Sequence, residues 1–131
     1  MTDEFGAANV LYAKGCGFEG DDSSGFAEAI SAARHADVVV LCLGELTKWS
    51  GENGIRSTLA LPAIQEQLAL ELKKVGKPLV LLLNNGRPLE LCRLEPIADA
   101  IVELWQPGIS GGKPAAGILS GRVNPSGRLS I

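Results

Sequence analysis

The chain has 131 residues, a formal net charge of −3, 46% hydrophobic residues and 21% charged residues. That is the length of one domain, with the composition of an ordinary globular protein and enough chain to bury a core. The slight acidity gives no electrostatic reason to bind nucleic acid or an anionic membrane, and 5% aromatics do not make a base-stacking platform. No apolar run nears the ~18 residues of a membrane span, and the acidic start Met1-Thr2-Asp3-Glu4-Phe5 lacks the hydrophobic region of a secretory signal. Three cysteines (Cys16, Cys42, Cys92) with no C-x-x-C pair and one histidine, His35, do not form a zinc set. They read as buried free thiols.

In chain order, residues 9–13 read as a first strand and 15–24 as a Gly/Asp/Ser loop. Residues 24–35 carry Phe26, Ile30 and Ala33 at helical spacing, with Ser23 or Ser24 as N-cap. The apolar run 38–43 has the pattern of a parallel strand covered on both faces. A polar loop follows over 45–60, long enough to be functional or mobile. Leu61-Pro62 opens a helix with Ile64, Leu68, Leu72 and Val75 on one face, and Gly76 stops it. Residues 79–83 form a third strand, Gly86-Arg87-Pro88 a turn, 89–92 a short extended piece and 100–105 a fourth strand. A Gly/Pro loop over 106–112 leads to a short helix at 114–119, a turn at Asn124-Pro125-Ser126-Gly127, and a strand beginning at 128–131. Strands alternating with helices imply a parallel sheet flanked by helices, in a single domain over 1–131.

Two literal motifs do not carry their usual chemistry. Gly15-Cys16-Gly17-Phe18-Glu19-Gly20 matches G-x-G-x-x-G, but Glu19, Asp21 and Asp22 at its mouth repel a pyrophosphate, and the helix begins past it. Gly108-Ile109-Ser110-Gly111-Gly112 matches G-x-S-x-G, but the triad order needs a histidine after the serine and none follows.

The loop Gly44-Glu45-Leu46-Thr47-Lys48-Trp49-Ser50-Gly51-Glu52-Asn53-Gly54-Ile55-Arg56 leaves the carboxyl end of a strand, where ligands of open α/β sheets bind. It holds two carboxylates, an indole and a guanidinium, the groups that grip a sugar's apolar face and hydroxyls. On these residues alone it is either a solvated loop or a sugar site. A carboxyl desolvated by Trp49 can act as a general acid. Glycoside hydrolysis usually needs two carboxyls, about 5–5.5 Å apart for retention. Glu45 is a poor second one, because its place at the strand end suits a structural role.

The ordered series Tyr12-Ala13-Lys14-Gly15-Cys16, Ala36-Asp37-Val38-Val39-Val40, Gly44-Glu45, Ser50-Gly51-Glu52, Arg56, Leu61-Pro62 with Gln65, Gly86-Arg87-Pro88-Leu89, Ala98-Asp99-Ala100-Ile101, Trp105-Gln106-Pro107-Gly108, Gly111-Gly112 and Asn124-Pro125-Ser126-Gly127-Arg128-Leu129 resembles the C-terminal domain of family 3 glycoside hydrolases. The resemblance implies an α/β three-layer sandwich, a mostly parallel sheet with helices on both faces in a flavodoxin-like arrangement. It also implies a retaining exo-acting enzyme of the β-glucosidase type, whose N-terminal barrel supplies an Asp nucleophile. By the same resemblance Glu52 is the general acid/base, Arg56 matches a position close to the site, and Glu45 anchors the loop; in the intact enzyme Trp49 is expected to line the pocket near the leaving group. The expected partners are a β-linked glucoside or oligosaccharide and the barrel of the same enzyme, with no metal or organic cofactor. The barrel lies outside these residues, so the chain alone is expected to be inactive. The rival reading is a stand-alone α/β domain that binds a sugar or a protein without catalysis; calorimetry with glucose separates the two. A nucleotide-binding flavodoxin-like protein rests only on the discarded glycine motif.

Overall fold

The computed structural model describes residues 1–129. Strands β1 (Val39–Gly44), β2 (Leu79–Asn84) and β3 (Ala100–Glu103) form one parallel sheet in the order β1-β2-β3. The register runs Val39 to Leu79 through Gly44 to Asn84, then Val80 to Ala100 through Leu83 to Glu103. Among the described residues four helices accompany it: α1 (Thr2–Phe5), α2 (Phe26–His35), α3 (Ala63–Lys73) and α4 (Gly112–Leu119). This is the α/β sandwich that the alternation of strands and helices implies. No helix among the described residues is long and apolar enough to cross a membrane.

Alternate strand residues point to one face, and this sets the core. Leu41, Leu43, Leu79, Leu81 and Leu83 pack with Ala29 and Ala33 of α2 and with Leu68, Ala69 and Leu72 of α3. The small residues on α2 let its axis approach the sheet, while the leucines of α3 fill the remaining depth. In the run 38–43, Val38 and Cys42 remain exposed, so cover on the other face is partial there.

Several boundaries differ from the sequence reading for identifiable reasons. Residues 9–13 are no strand. A 3-10 turn (Ala7–Asn9) leads into extended backbone at Val10 that has no ladder partner among the described residues. Helix α2 starts later than expected, without a side-chain cap, because Gly25 lies directly against the Gly15 carbonyl, where a Cβ could not fit. Strand β3 ends at Glu103, because Trp105 turns into the left-handed region with φ 52°. The piece at 89–92 contributes one parallel bridge, Ala60 to Glu90. Arg128 and Leu129 are not in a strand, and the rest of the expected final strand lies outside the described residues. The thiols are free, but Cys42 and Cys92 are exposed and only Cys16 is half-buried. Burial still pushes the Cys16 and Cys42 thiols above their ordinary value.

Candidate active site

In a parallel sheet all carboxyl ends lie on one edge. Here that edge carries the loop over 45–60, the turn after β2 and the residues following β3. Gly44 is the hinge: the backbone of Asn84 occupies the space that a Cβ on Gly44 would need. The chain can therefore leave β1 while staying tight on β2, and the Glu45 N–H still donates to the Asn84 carbonyl at 2.9 Å.

Glu45 is buried, with its carboxylate between two arginines. Arg87 Nε donates to Oε2 at 3.2 Å, and Arg56 Nη1 lies 3.5 Å from Oε1, an ion pair without hydrogen-bond geometry. Arg87 also donates through Nη2 to the Trp49 carbonyl, and the Arg56 guanidinium sits 4.3 Å from the centre of the Trp49 ring. One buried carboxylate thus fixes both ends of the segment between Trp49 and Arg56. A guanidinium over an indole adds about 0.5–2 kcal/mol, more as water is excluded.

A second network lies one strand over. Asn85 is 1% exposed. Its N–H donates to the Trp105 carbonyl, and its Nδ2 donates to the Arg87 carbonyl and to Glu103 Oε2. Glu103 Oε1 accepts the Trp105 N–H at 2.7 Å. These bonds hold Trp105 in its left-handed conformation and couple the ends of β2 and β3. Asn85 Oδ1 and Ser50 Oγ are buried without a hydrogen-bond partner among the described residues. Gly86 is packed against Ser50, so the turn after β2 supports the loop from below.

Of the residues singled out from sequence, Trp49 and Arg56 are brought into contact and half-buried. Glu52 sits in the turn between them, exposed, with no ion pair or hydrogen bond among the described residues. Glu45 anchors the loop, as its place at the strand end suggests. Sequence reasoning gave no role to Arg87, Asn85 or Glu103. The available signal was position, since each sits at or just past the carboxyl end of a strand. The glycine motif over 15–20 is a loop that ends well before α2, and the Asp22 carboxylate there accepts the Ser24 N–H. Among the described residues no group of three or more His, Cys, Asp or Glu could hold a metal ion.

Residues 4–131 match the family described as the glycosyl hydrolase family 3 C-terminal domain. The chain belongs to this family. A β-xylosidase of Formosa agariphila is 41% identical over 122 residues, 93% of this chain and 17% of that protein. A periplasmic β-glucosidase of Salmonella typhimurium is 47% identical over 104 residues, 79% of this chain and 14% of that protein. Among solved structures, the β-glucosidase of Listeria innocua in complex with glucose superposes with a TM-score of 0.83 at 43% identity, covering 88% of this chain and 16% of that one. A family 3 exo-β-xylosidase, XlnD, reaches a TM-score of 0.87 at 32% identity, covering 96% and 17%. The family 3 domain described here therefore spans about a sixth of such polypeptides.

Proposed function

We propose that this domain supplies the general acid/base of a retaining exo-β-glycosidase of the β-glucosidase type, and that Glu52 is that group. The observation that carries the reading is the build of the loop. Its flanks are clamped through Glu45, Arg56, Arg87 and Trp49, while the carboxylate at its tip has no partner among the described residues. A clamped loop with a free carboxylate is suited to presenting that group to a neighbouring domain. The exposed Ile55 and Ile109, in loops that follow β1 and β3, support a surface that docks on another part of the enzyme.

In this mechanism a barrel Asp attacks the anomeric carbon of a β-linked glucoside or oligosaccharide. Glu52 gives its proton to the glycosidic oxygen as that bond breaks, and the covalent glycosyl-enzyme forms. Glu52, now a carboxylate, takes a proton from water as water releases the sugar. Trp49 packs on the sugar and Arg56 orients the loop beside it. The domain alone lacks the nucleophile and is inactive.

The test is Glu52→Gln in an enzyme carrying this domain and its barrel. Turnover of alkyl glycosides should fall by about 10²–10⁴-fold, while glycosylation by aryl glycosides with activated leaving groups should fall far less. Equal losses on both substrate types would remove Glu52 from the acid role.

A further inference from the structure

Trp105 is the one bulky residue among those described whose φ is positive, at 52°. Side chains with a Cβ rarely adopt that backbone, and the other such positions among the described residues are glycines or Asn53. A turn alone would be better served by glycine. The conformation is imposed by neighbours. The Trp105 N–H donates to Glu103 Oε1 at 2.7 Å, and its carbonyl accepts the Asn85 N–H at 3.1 Å. The buried Asn85 also ties down Glu103, through Nδ2 to Oε2 at 3.2 Å. Leu104 still donates to the Leu83 carbonyl at 2.9 Å, so the chain leaves the ladder in a single step at Trp105.

This arrangement does not serve packing. Trp105 is 38% exposed and takes no part in the hydrophobic core. Backbone strain that the surroundings over-determine gathers at functional sites, and here it holds a large, partly open indole at the carboxyl edge of the sheet. The loop of Glu52 is close by. Ser50 Oγ and Gln106 Nε2 both crowd the spot where a Cβ on Gly86 would stand. Ser50 follows Trp49 and Gln106 follows Trp105, so the two tryptophans flank one glycine turn. The Arg56 guanidinium already covers one face of the Trp49 ring.

We propose that Trp105 determines specificity for the leaving group, its indole packing on the apolar face of the second sugar of a β-linked disaccharide. The inference rests on the reading that this domain brings the acid to the substrate. In a retaining hydrolysis the nucleophile acts at the anomeric carbon and the acid at the glycosidic oxygen. Side chains that neighbour the acid on its own domain therefore meet the leaving group, while the glycone lies toward the nucleophile. An aromatic face against the apolar face of a sugar ring is the contact such a place can make.

The experiment uses an enzyme carrying this domain and its barrel. It compares kcat/KM for cellobiose and methyl β-glucoside, or for xylobiose and methyl β-xyloside, whichever pair the parent enzyme turns over. A methyl leaving group has no ring to pack, and kcat/KM covers the steps through departure of the leaving group. Trp105→Gly removes the indole and suits the backbone. It should lower the ratio of disaccharide to methyl-glycoside kcat/KM by about tenfold. Trp105→Phe keeps a ring on the same backbone and should recover most of that ratio. The proposal is overturned if Trp105→Gly moves the ratio by less than about twofold, since a ring that only shapes the loop or docks on the barrel affects both substrates alike. It is also overturned if Trp105→Phe recovers no more than Trp105→Gly. Should Trp105→Gly fail to fold, Trp105→Asn tolerates the same backbone and is read in its place. A parent enzyme that turns over neither pair overturns the glycosidase reading and this inference with it, before any change at Trp105. The ratio is measured with Glu52 intact, so it fails or holds apart from the Glu52→Gln comparison.

Discussion

At the scale of single residues, the site depends most on Glu45. Its carboxylate is the shared counter-charge of Arg56 and Arg87, whose side chains are 17% and 18% exposed. Removing it leaves two mostly buried cations facing each other. Breaking a buried pair from one side usually costs 3–5 kcal/mol, and residual water access to both arginines places Glu45→Ala near the lower end, about 3 kcal/mol. The midpoint of urea unfolding reads this directly, and Glu45→Gln should lose less because its amide oxygen still accepts from Arg87. A loss under about 1 kcal/mol, the value of an exposed pair, would mean that the loop is held by something else. Gly44 works beside it through volume. A methyl group at Gly44 would enter the backbone of Asn84, so Gly44→Ala should destabilise by about 1–3 kcal/mol. In an active enzyme it should also displace Glu52.

Among elements, α3 does two things for β1. Its leucines cover the inner face of the sheet, and Gln65 on the same helix closes the last rung of the exposed strand edge. Gln65 also donates to the Phe18 carbonyl at 2.8 Å, so three backbone groups depend on one buried amide. Gln65→Leu keeps the volume but leaves those groups unsatisfied, at about 1–3 kcal/mol for each that water cannot reach. Amide exchange at Gly44 should speed up while exchange at Leu81 holds, and equal acceleration at both would show general unfolding instead. The helices and strands of this region were legible because each carries its own periodicity. Val39 to Gly44, Leu79 to Asn84 and the buried stripe Ile64, Leu68, Leu72 need no distant partner to be recognised. The stretch at 9–13 was misread because an extended apolar pattern says nothing about whether a neighbouring strand is present. The start of α2 was misread because Ser23 and Ser24 are good caps by type, whereas the contact of Gly25 with Gly15 is a tertiary fact.

Across the whole molecule, the same division explains the site. The loop bearing Glu52 could be found because it follows a strand's carboxyl end, but the clamp that shapes it joins Glu45 to Arg87 across 42 positions, and no local pattern encodes that. Long-range polar ties also set how the fold responds to acid. Asp99 lies below its ordinary carboxyl value, chiefly because its carboxylate accepts the Leu79 N–H and then because of Lys73, which joins α3 to the start of β2 and β3. Glu4 is held at about 2, first by its hydrogen bond to Arg122 and then by Ser120, which ties the beginning of the chain to residues after α4. Both groups bind protons more weakly in the folded state than in the unfolded one. Their contribution is therefore fully present above the ordinary carboxyl values and is lost as pH falls through them toward the folded values. The expected curve of urea midpoint against pH is flat from neutral down to about pH 5. It should then fall between 4.5 and about 2, the span over which Glu4 is depressed. Because these groups are at the surface, the fall should be modest and smaller in high salt. Asp99→Asn and Glu4→Gln should each lower stability at neutral pH and flatten the acid limb, since the titrating group is gone. An acid limb as steep in both variants as in the parent chain would place the acid-sensitive tie elsewhere, with the Asp22 carboxylate at Ser24 the next one to remove.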